Sequence, residues 1–231
     1  SGTHALSLTF FGLLKHGDTM ISISGAPYDS LLSVIGILGD SPNSLIANGV
    51  NYEQIDLVND DFDIDKIVAR LKQSKVKLVE IQRSRGYAHR KSLSIAKIEK
   101  VCKAIREVDK DVIIMVDNCY GDLVEEKEPT EVGADVIVGS LMKNLGGGIA
   151  KSGDYIVGKK DIIFNIAERF TAPGIGKDLG ANYNENINYF KGLFMAPQAV
   201  TSSLKSMIFA SLVLEKKFAI AYKILYSRPC S

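Results

Sequence analysis

The chain has 231 residues, of which 46% are hydrophobic and 24% are charged, and this composition excludes a disordered or low-complexity protein. At about 150 residues per domain, the length corresponds to roughly one and a half domains. Lysine and arginine number 28 against 27 aspartates and glutamates, so the formal net charge of +1 argues against nucleic acid as a partner.

Helical and strand periods alternate along the chain up to residue 160. In chain order, the predicted elements are a helix at 3–15, a strand at 19–23, a helix at 28–38, a strand at 52–57, a helix at 64–71, a strand at 76–81, a helix at 94–108, and strands at 112–116, 135–138 and 155–157. The remainder is predicted to be helical, apart from a glycine-rich stretch at 171–180. Apolar strands between helices predict one doubly wound α/β domain, with a mostly parallel sheet covered by helices on both faces.

The cysteines and histidines do not suggest a metal site. The three cysteines, Cys102, Cys119 and Cys230, lack Cys-x-x-Cys spacing, and the three histidines are not at metal-ligand spacing from one another. Reduced thiols and a cytoplasmic location are therefore expected. The longest apolar run, at 207–226, is interrupted by charges at 215–217, so no membrane-spanning segment is expected.

Ligands of such sheets bind beyond the carboxyl ends of the strands. Asp117 follows the predicted strand at 112–116, Ser140 follows the strand at 135–138, and the loop at 82–87 follows a third strand. Small residues at 1–3 open the first helix, where free backbone amides can bind an anion. An ordinary helix N-cap is the alternative interpretation of residues 1–3.

Nucleotide-binding motifs fail at individual positions. The segment at 146–152 resembles a phosphate loop, but Ala150 stands where that loop requires glycine. Gly176 and Lys177 are followed by Asp178, where a magnesium-binding hydroxyl is needed. No serine-hydrolase elbow occurs either.

One combination of residues indicates a cofactor. Asp117 ends a predicted buried strand, and Lys143 ends the segment Ser140-Leu141-Met142-Lys143 after the next strand. A pyridoxal-phosphate enzyme needs a lysine that forms an imine with the cofactor aldehyde, an aspartate that keeps the pyridine nitrogen protonated, and a hydroxyl for the phosphate. On spacing alone, a turn-capping Asp117 and a surface Lys143 are the alternatives.

Two motifs carry a resemblance to a known family. Residues 116–121 (Val-Asp-Asn-Cys-Tyr-Gly) and 139–148 (Gly-Ser-Leu-Met-Lys-Asn-Leu-Gly-Gly-Gly) resemble the fold-type-I pyridoxal-phosphate enzymes of cysteine and methionine metabolism. The branch they resemble most is that of the methionine gamma-lyase-like, or aluminium-resistance, proteins, which are similar to cystathionine beta-lyases. Further matching motifs lie at 1–5, 25–29, 82–87 and 171–177.

The resemblance implies a domain organisation. Residues 1–217 are expected to form the pyridoxal-phosphate-binding large domain of a fold-type-I transferase, incomplete at its N-terminus. Residues 218–231 are expected to be a divergent tail where the C-terminal small domain would begin. The chain is therefore expected to be a truncated member with its small domain largely missing.

The resemblance also implies roles for individual residues. It places Gly2 and Thr3 in the phosphate-binding turn, Tyr28 against the pyridine face, Asp117 at the pyridine nitrogen, Ser140 at the phosphate, and Lys143 as the lysine that carries the cofactor. Met142 stands where related lyases often have a second hydroxyl. Arg83 and Arg85 are candidate substrate or cofactor contacts, and solvated loop charges are the alternative. No metal ligand is expected.

The implied activity is a carbon–sulfur lyase that acts on a sulfur amino acid of the cystathionine, methionine or cysteine type, by beta- or gamma-elimination. A homo-oligomer, namely a dimer of dimers, is implied as well. Two alternatives stay open: another pyridoxal-phosphate reaction on the same fold, such as transamination or racemisation, and a catalytically incompetent fragment. The fragment alternative rests on the missing small domain, which commonly supplies the arginine for the substrate carboxylate.

Overall fold

The structure, a computed structural model, describes residues 1–178 and 185–218. In chain order the elements are α1 (Gly2–Leu13), β1 (Thr19–Ser22), α2 (Asp29–Ile35), β2 (Asn51–Gln54), α3 (Ile64–Gln73), β3 (Leu78–Gln82), α4 (Ile95–Val108), β4 (Ile113–Asp117), β5 (Val136–Ser140), β6 (Asp154–Gly158), α5 (Lys160–Ala167) and α6 (Asn186–Phe218). Short 3₁₀ turns lie at Pro129–Val132 and Asn144–Gly146. Ser94 caps α4 by accepting a hydrogen bond from the Lys97 amide.

The strands form one sheet in the order β2-β1-β3-β4-β5-β6. Strands β1 to β5 are parallel to one another, and β6 pairs antiparallel with β5 at the edge. The predicted mostly parallel α/β sheet is therefore confirmed. The strand predicted at 52–57 is shorter, because Ile55 and Leu57 pack on the core beyond the last ladder pair of β2.

Two hydrophobic clusters cover the two faces of the sheet. Side chains alternate along β3, so Val79 packs with α3 and α4, whereas Leu78 packs with α1 and α2 on the other face. Asp117 and Ser140 are the last residues of β4 and β5. By the same alternation, each lies on the face that α1 covers, two residues beyond Met115 and Val138 of that cluster.

Helix α6 differs from the others because most of its length is exposed. It packs through its first turns on the 3₁₀ turn at Asn144–Gly146 and contains Pro197. Within residues 1–178 and 185–218, no helix is both long and apolar enough to cross a membrane. Most of the tail predicted at 218–231, together with Gly180 of the glycine-rich stretch, lies outside the described residues, and the boundary at 217 stays a prediction.

Candidate active site

The carboxyl edge of the sheet brings four of the predicted site residues together. Helix α1 begins above the ends of β4 and β5, and a Cβ added to Gly2 would lie 3.5 Å from both the Ser140 Cβ and the Cys119 Sγ. The Cys119 amide donates a hydrogen bond to the Asp117 Oδ1 at 3.0 Å. Lys143 follows Ser140 by one tight turn, in which the Lys143 amide donates to the Ser140 carbonyl at 3.2 Å.

Lys143 is half-buried, and its Nζ lies 4.1 Å from the centre of the Tyr120 ring. Burial lowers the pKa of this lysine, but Cys119, Tyr120 and Asp117 outweigh that effect, so its pKa lies above the ordinary lysine value. The amine is therefore an ammonium at neutral pH in the protein without a ligand. It becomes a nucleophile only after it loses that proton.

Asp117 is buried, and burial raises the pKa of its carboxyl above the ordinary value. The hydrogen bonds from Cys119 and the charge of Lys143 act in the opposite direction. Burial and the charge of Asp117 raise the pKa of the Cys119 thiol to about 12, so the thiol stays protonated. A buried carboxylate is stabilised by a cationic N–H partner, which is what a protonated pyridine nitrogen offers.

Tyr28 is hydrogen-bonded through both its side-chain hydroxyl and its backbone amide. Its hydroxyl lies 2.8 Å from the Thr3 hydroxyl, and its amide donates to the Gln82 Oε1 at 2.8 Å. Burial raises the pKa of Tyr28 to about 12, with Asp117 and Cys119 adding to the shift. The phenol is therefore neutral, and its ring is fixed beside the other site residues.

The N-terminal turn of α1 presents backbone amides at this edge of the sheet. The first intrahelical hydrogen bonds run from the amides of His4 and Ala5 to the Ser1 carbonyl, so the amides of Gly2 and Thr3 precede them. Amides at a helix N-terminus favour a phosphate both by hydrogen bonding and through the helix dipole.

The two predicted arginines lie in different surroundings. Arg83 is 3% exposed, and its guanidinium bonds the Asn118 Oδ1 at 2.7 Å and the Gly121 carbonyl at 2.9 Å. The guanidinium also forms salt bridges with Glu125 at 2.8 Å and with Glu128 at 3.4 Å. These contacts favour a structural role for Arg83. Arg85 is exposed on the loop after β3, and its role stays a prediction.

Sequence reasoning missed Glu80, which lies inside the strand predicted from its apolar neighbours. Glu80 is fully buried on the same face as Asp117, and its Oε2 shares a hydrogen bond with the Ser22 hydroxyl. Its Oε1 has no hydrogen-bond partner among the residues that the structure describes. Burial raises the pKa of Glu80 to about 8. A lone glutamate in an apolar strand was the available signal.

The donor and acceptor set fits pyridoxal phosphate. Free amides of α1 and the hydroxyl of Ser140 suit the phosphate, and the Asp117 carboxylate suits a protonated ring nitrogen. Lys143 lies within the same cluster, because its amide bonds the Ser140 carbonyl and its Nζ lies over the ring of Tyr120. Gly2 leaves the space beside Ser140 free of a side chain. The run of glycines at 146–148 packs against α6, because a Cβ on Gly147 would lie 2.4 Å from the Gly192 carbonyl.

Comparison with known proteins gives several matches. The methionine gamma-lyase family model matches residues 1–228. The uncharacterized protein YnbB of Bacillus subtilis (strain 168) is 43% identical over 218 residues, which are 94% of this chain and 52% of that protein. A solved structure from Clostridium acetobutylicum is described as a candidate cystathionine beta-lyase involved in aluminium resistance. It is 46% identical, with a TM-score of 0.91, and the match covers 93% of this chain and 51% of that one.

A more distant likeness concerns the fold alone. The pyridoxal-5'-phosphate dependent protein YhfS from Escherichia coli is 19% identical, with a TM-score of 0.65 over 92% of this chain and 52% of that one. The chain spans about half the length of these relatives. Its fold is the fold-type-I architecture that the sequence predicted, and the chain belongs to the methionine gamma-lyase family.

Proposed function

We propose that the site at the carboxyl edge of the sheet binds pyridoxal phosphate and that the protein cleaves a carbon–sulfur bond of a sulfur amino acid by beta- or gamma-elimination. One observation carries this proposal: Asp117 and Ser140 end neighbouring strands beside the N-terminus of α1, and Lys143 follows Ser140 by one tight turn. The description of the Clostridium acetobutylicum relative as a candidate cystathionine beta-lyase supports the choice of reaction.

The bound cofactor supplies an electron sink for negative charge at the Cα of an amino acid. Asp117, as a carboxylate, would hold the ring nitrogen in its protonated form, because its burial makes a cationic partner favourable. The amides of Gly2 and Thr3 and the Ser140 hydroxyl would bind the phosphate. Lys143 Nζ, when free and unprotonated, would accept the Cα proton of the substrate.

The proposal is tested by adding pyridoxal phosphate to the purified chain and recording the visible absorption spectrum. We expect a visible band in the wild type and in Lys151→Arg, which changes an exposed lysine of the following loop. Lys143→Arg is expected to lose the band, because a guanidinium forms no imine with the aldehyde. A band of equal size in Lys143→Arg would contradict the assignment of Lys143.

The reaction itself is tested with cystathionine, methionine and cysteine as substrates, by measuring released thiol and 2-oxo acid. Beta-elimination from cysteine gives pyruvate, whereas gamma-elimination from methionine gives 2-oxobutyrate, so the product identifies the carbon at which the C–S bond breaks. Amino-group transfer to an added 2-oxo acid without thiol release would replace the lyase proposal by transamination. A visible band without any turnover would overturn the lyase activity of this chain and retain cofactor binding.

A further inference from the structure

Tyr120 has a backbone conformation that bulky residues rarely adopt. Its φ is +65°, in the left-handed region that glycine and asparagine usually occupy. The side chain is 61% exposed, so burial of an apolar ring does not account for this conformation. The ring centre lies 4.1 Å from Lys143 Nζ, well inside the distance at which an aromatic face attracts a cation.

The turn that contains Tyr120 is held in place by hydrogen bonds from Arg83. The Gly121 amide donates to the Asn118 carbonyl at 2.8 Å, which closes the turn around Tyr120. One guanidinium nitrogen, Arg83 Nη1, then donates to both the Asn118 Oδ1 and the Gly121 carbonyl, at 2.7 and 2.9 Å. A Cβ on Gly121 would lie 2.6 Å from the Arg83 Cδ, so the arm of this arginine fits only against glycine.

Arg83 is itself held in place by charge. Its Nη2 pairs with Glu125 at 2.8 Å, and its Nη1 lies 3.4 Å from a Glu128 oxygen. Glu125 also accepts a hydrogen bond from the first amide of α4, that of Ile95, at 3.0 Å. The turn around Tyr120 is thus tied to a buried guanidinium and to a helix start, and such surroundings can hold a strained residue.

We propose that Tyr120 is a positioning residue for Lys143: the face of its ring holds the lysine ammonium at the sheet edge, and the Arg83 turn sets the ring there. This inference rests on the proposed function for the part that Lys143 plays in catalysis. The contact stabilises the protonated amine and keeps it next to Asp117 whenever the lysine is free. Arg83 acts through this turn and not on the substrate.

The described groups that titrate and face the Lys143 ammonium are Asp117 at the end of β4, and Cys119 and Tyr120 in the turn that follows. Replacement of the Tyr120 ring leaves the other two in place. A change in the titration of Lys143 in Tyr120 variants therefore reports the loss of the ring face, of the phenol charge or of both, and comparison of Tyr120→Leu with Tyr120→Phe separates the two.

The test measures the titration of Lys143 in the chain without cofactor. Trace acetic anhydride acetylates only the unprotonated amine, and mass spectrometry of the Lys143 peptide over a pH series gives the midpoint of labelling. We expect Tyr120→Leu to lower the midpoint by about half a pH unit, the size of an exposed cation–π contact. Tyr120→Phe should lower the midpoint less than Tyr120→Leu does, because it loses the phenol charge and retains the ring face. Tyr120→Trp should give a higher midpoint than Tyr120→Phe, because indole is the stronger cation–π partner.

Phe164→Leu on α5 is the matched control, since it removes another exposed aromatic ring, and its midpoint should equal that of the wild type. Circular dichroism establishes that each variant is folded. An unchanged midpoint in folded Tyr120→Leu, or an equal shift in Tyr120→Phe, would overturn the inference. Because no cofactor is added, a shifted midpoint in a chain that gives no visible band with pyridoxal phosphate would retain the contact and refute the proposed function.

Discussion

Glu80 illustrates how a single buried group can set the pH dependence of this protein. Ser22 has one hydroxyl hydrogen, and its oxygen contacts both the Gly25 carbonyl, at 3.0 Å, and the Glu80 Oε2. A carbonyl can only accept, so a protonated Glu80 that donates to Ser22 satisfies both contacts. The pKa of about 8, raised mainly by burial, agrees with a neutral carboxylic acid at neutral pH.

The stability that this proton contributes is expected to depend on pH. Folding raises the pKa of Glu80 above its value in the unfolded chain. The stabilisation by the protonated carboxyl is therefore fully present below the pKa of the unfolded chain, and it is lost as the pH rises through the folded pKa of about 8. Glu80→Gln keeps a neutral side chain at all pH values. We expect its free energy of unfolding, relative to wild type, to rise by about 3 kcal/mol between about pH 5 and about pH 8.

Urea denaturation at the two pH values measures this difference. Glu107→Gln, which changes an exposed glutamate of α4, is the control and should show a much smaller change. A difference between wild type and Glu80→Gln that does not vary with pH would mean that Glu80 is ionised throughout this range.

The backbone of Tyr120 gives a second expectation. At a left-handed position, an added Cβ costs about 1 to 2 kcal/mol. Both Tyr120→Gly and Tyr120→Ala remove the ring, so their comparison isolates the backbone, and we expect the glycine variant to be more stable by about 1 kcal/mol in urea denaturation. At Tyr87, an exposed tyrosine outside the left-handed region, alanine should be the more stable replacement. The same order at both positions would argue against strain at Tyr120.

The sequence indicated candidate cofactor residues at this edge of the sheet, but it did not indicate the residues that hold them in place. Asp117 and Lys143 could be chosen because strand ends and a particular lysine have a chemical meaning. The burial of Arg83 could not be foreseen, because its partners, Asn118 and Glu125, lie on a later part of the chain. A charged residue in a loop motif carries no sequence signal that separates a structural bridge from a substrate contact.

At the scale of elements, the order and type of most helices and strands followed from hydrophobic periodicity. The ends of the strands could not be predicted in this way, because an alternation of apolar residues indicates burial and not backbone hydrogen bonding. Ile55, for example, is buried in the core but lies beyond the last hydrogen-bonded pair of β2. The antiparallel direction of β6 has a topological cause. A parallel return needs a crossover, usually a helix, and between β5 and β6 the chain has only the short turn at Asn144–Gly146.

Helix α6 packs on the loop that contains Lys143, and this packing depends on Gly192. A Cβ added to Gly192 would lie 2.4 Å from the Gly146 carbonyl oxygen, a contact with backbone that cannot move aside cheaply. Alanine is favoured over glycine inside a helix by about 1 kcal/mol. We nevertheless expect Gly192→Ala to lose about 1 to 3 kcal/mol in the free energy of unfolding and to weaken binding of pyridoxal phosphate, because the loop that carries Lys143 must shift.

Ser206→Ala, an exposed change on the same helix, is the control for helix propensity. Both effects of Gly192→Ala are measurable by urea denaturation and by titration of the visible band. A Gly192→Ala variant that is more stable than wild type would show that the loop does not need this close approach.

At the scale of the whole molecule, large apolar side chains lie exposed along α6. Phe194 is 82% exposed and Phe209 is 71% exposed, and both lie on a helix that packs mainly through its first turns. Exposed apolar patches of this kind usually mark an interface. We expect the chain to self-associate in sedimentation velocity, and the double variant Phe194→Lys with Phe209→Lys to sediment more slowly at the same concentration.

The control for the added charge is Asp161→Lys on α5, which also raises the net charge by two and should sediment as the wild type does. A wild-type chain that remains monomeric at every concentration would contradict the expected association.

The covalent partner of the cofactor provides the most direct test of the whole interpretation. Sodium borohydride reduces an imine between pyridoxal phosphate and a lysine to a stable amine, and digestion followed by mass spectrometry locates the modified lysine. We expect the peptide that contains Lys143 to gain the mass of the reduced cofactor. Modification confined to other lysines, or no modification at all, would contradict the assignment of the carboxyl edge of this sheet as a pyridoxal-phosphate site.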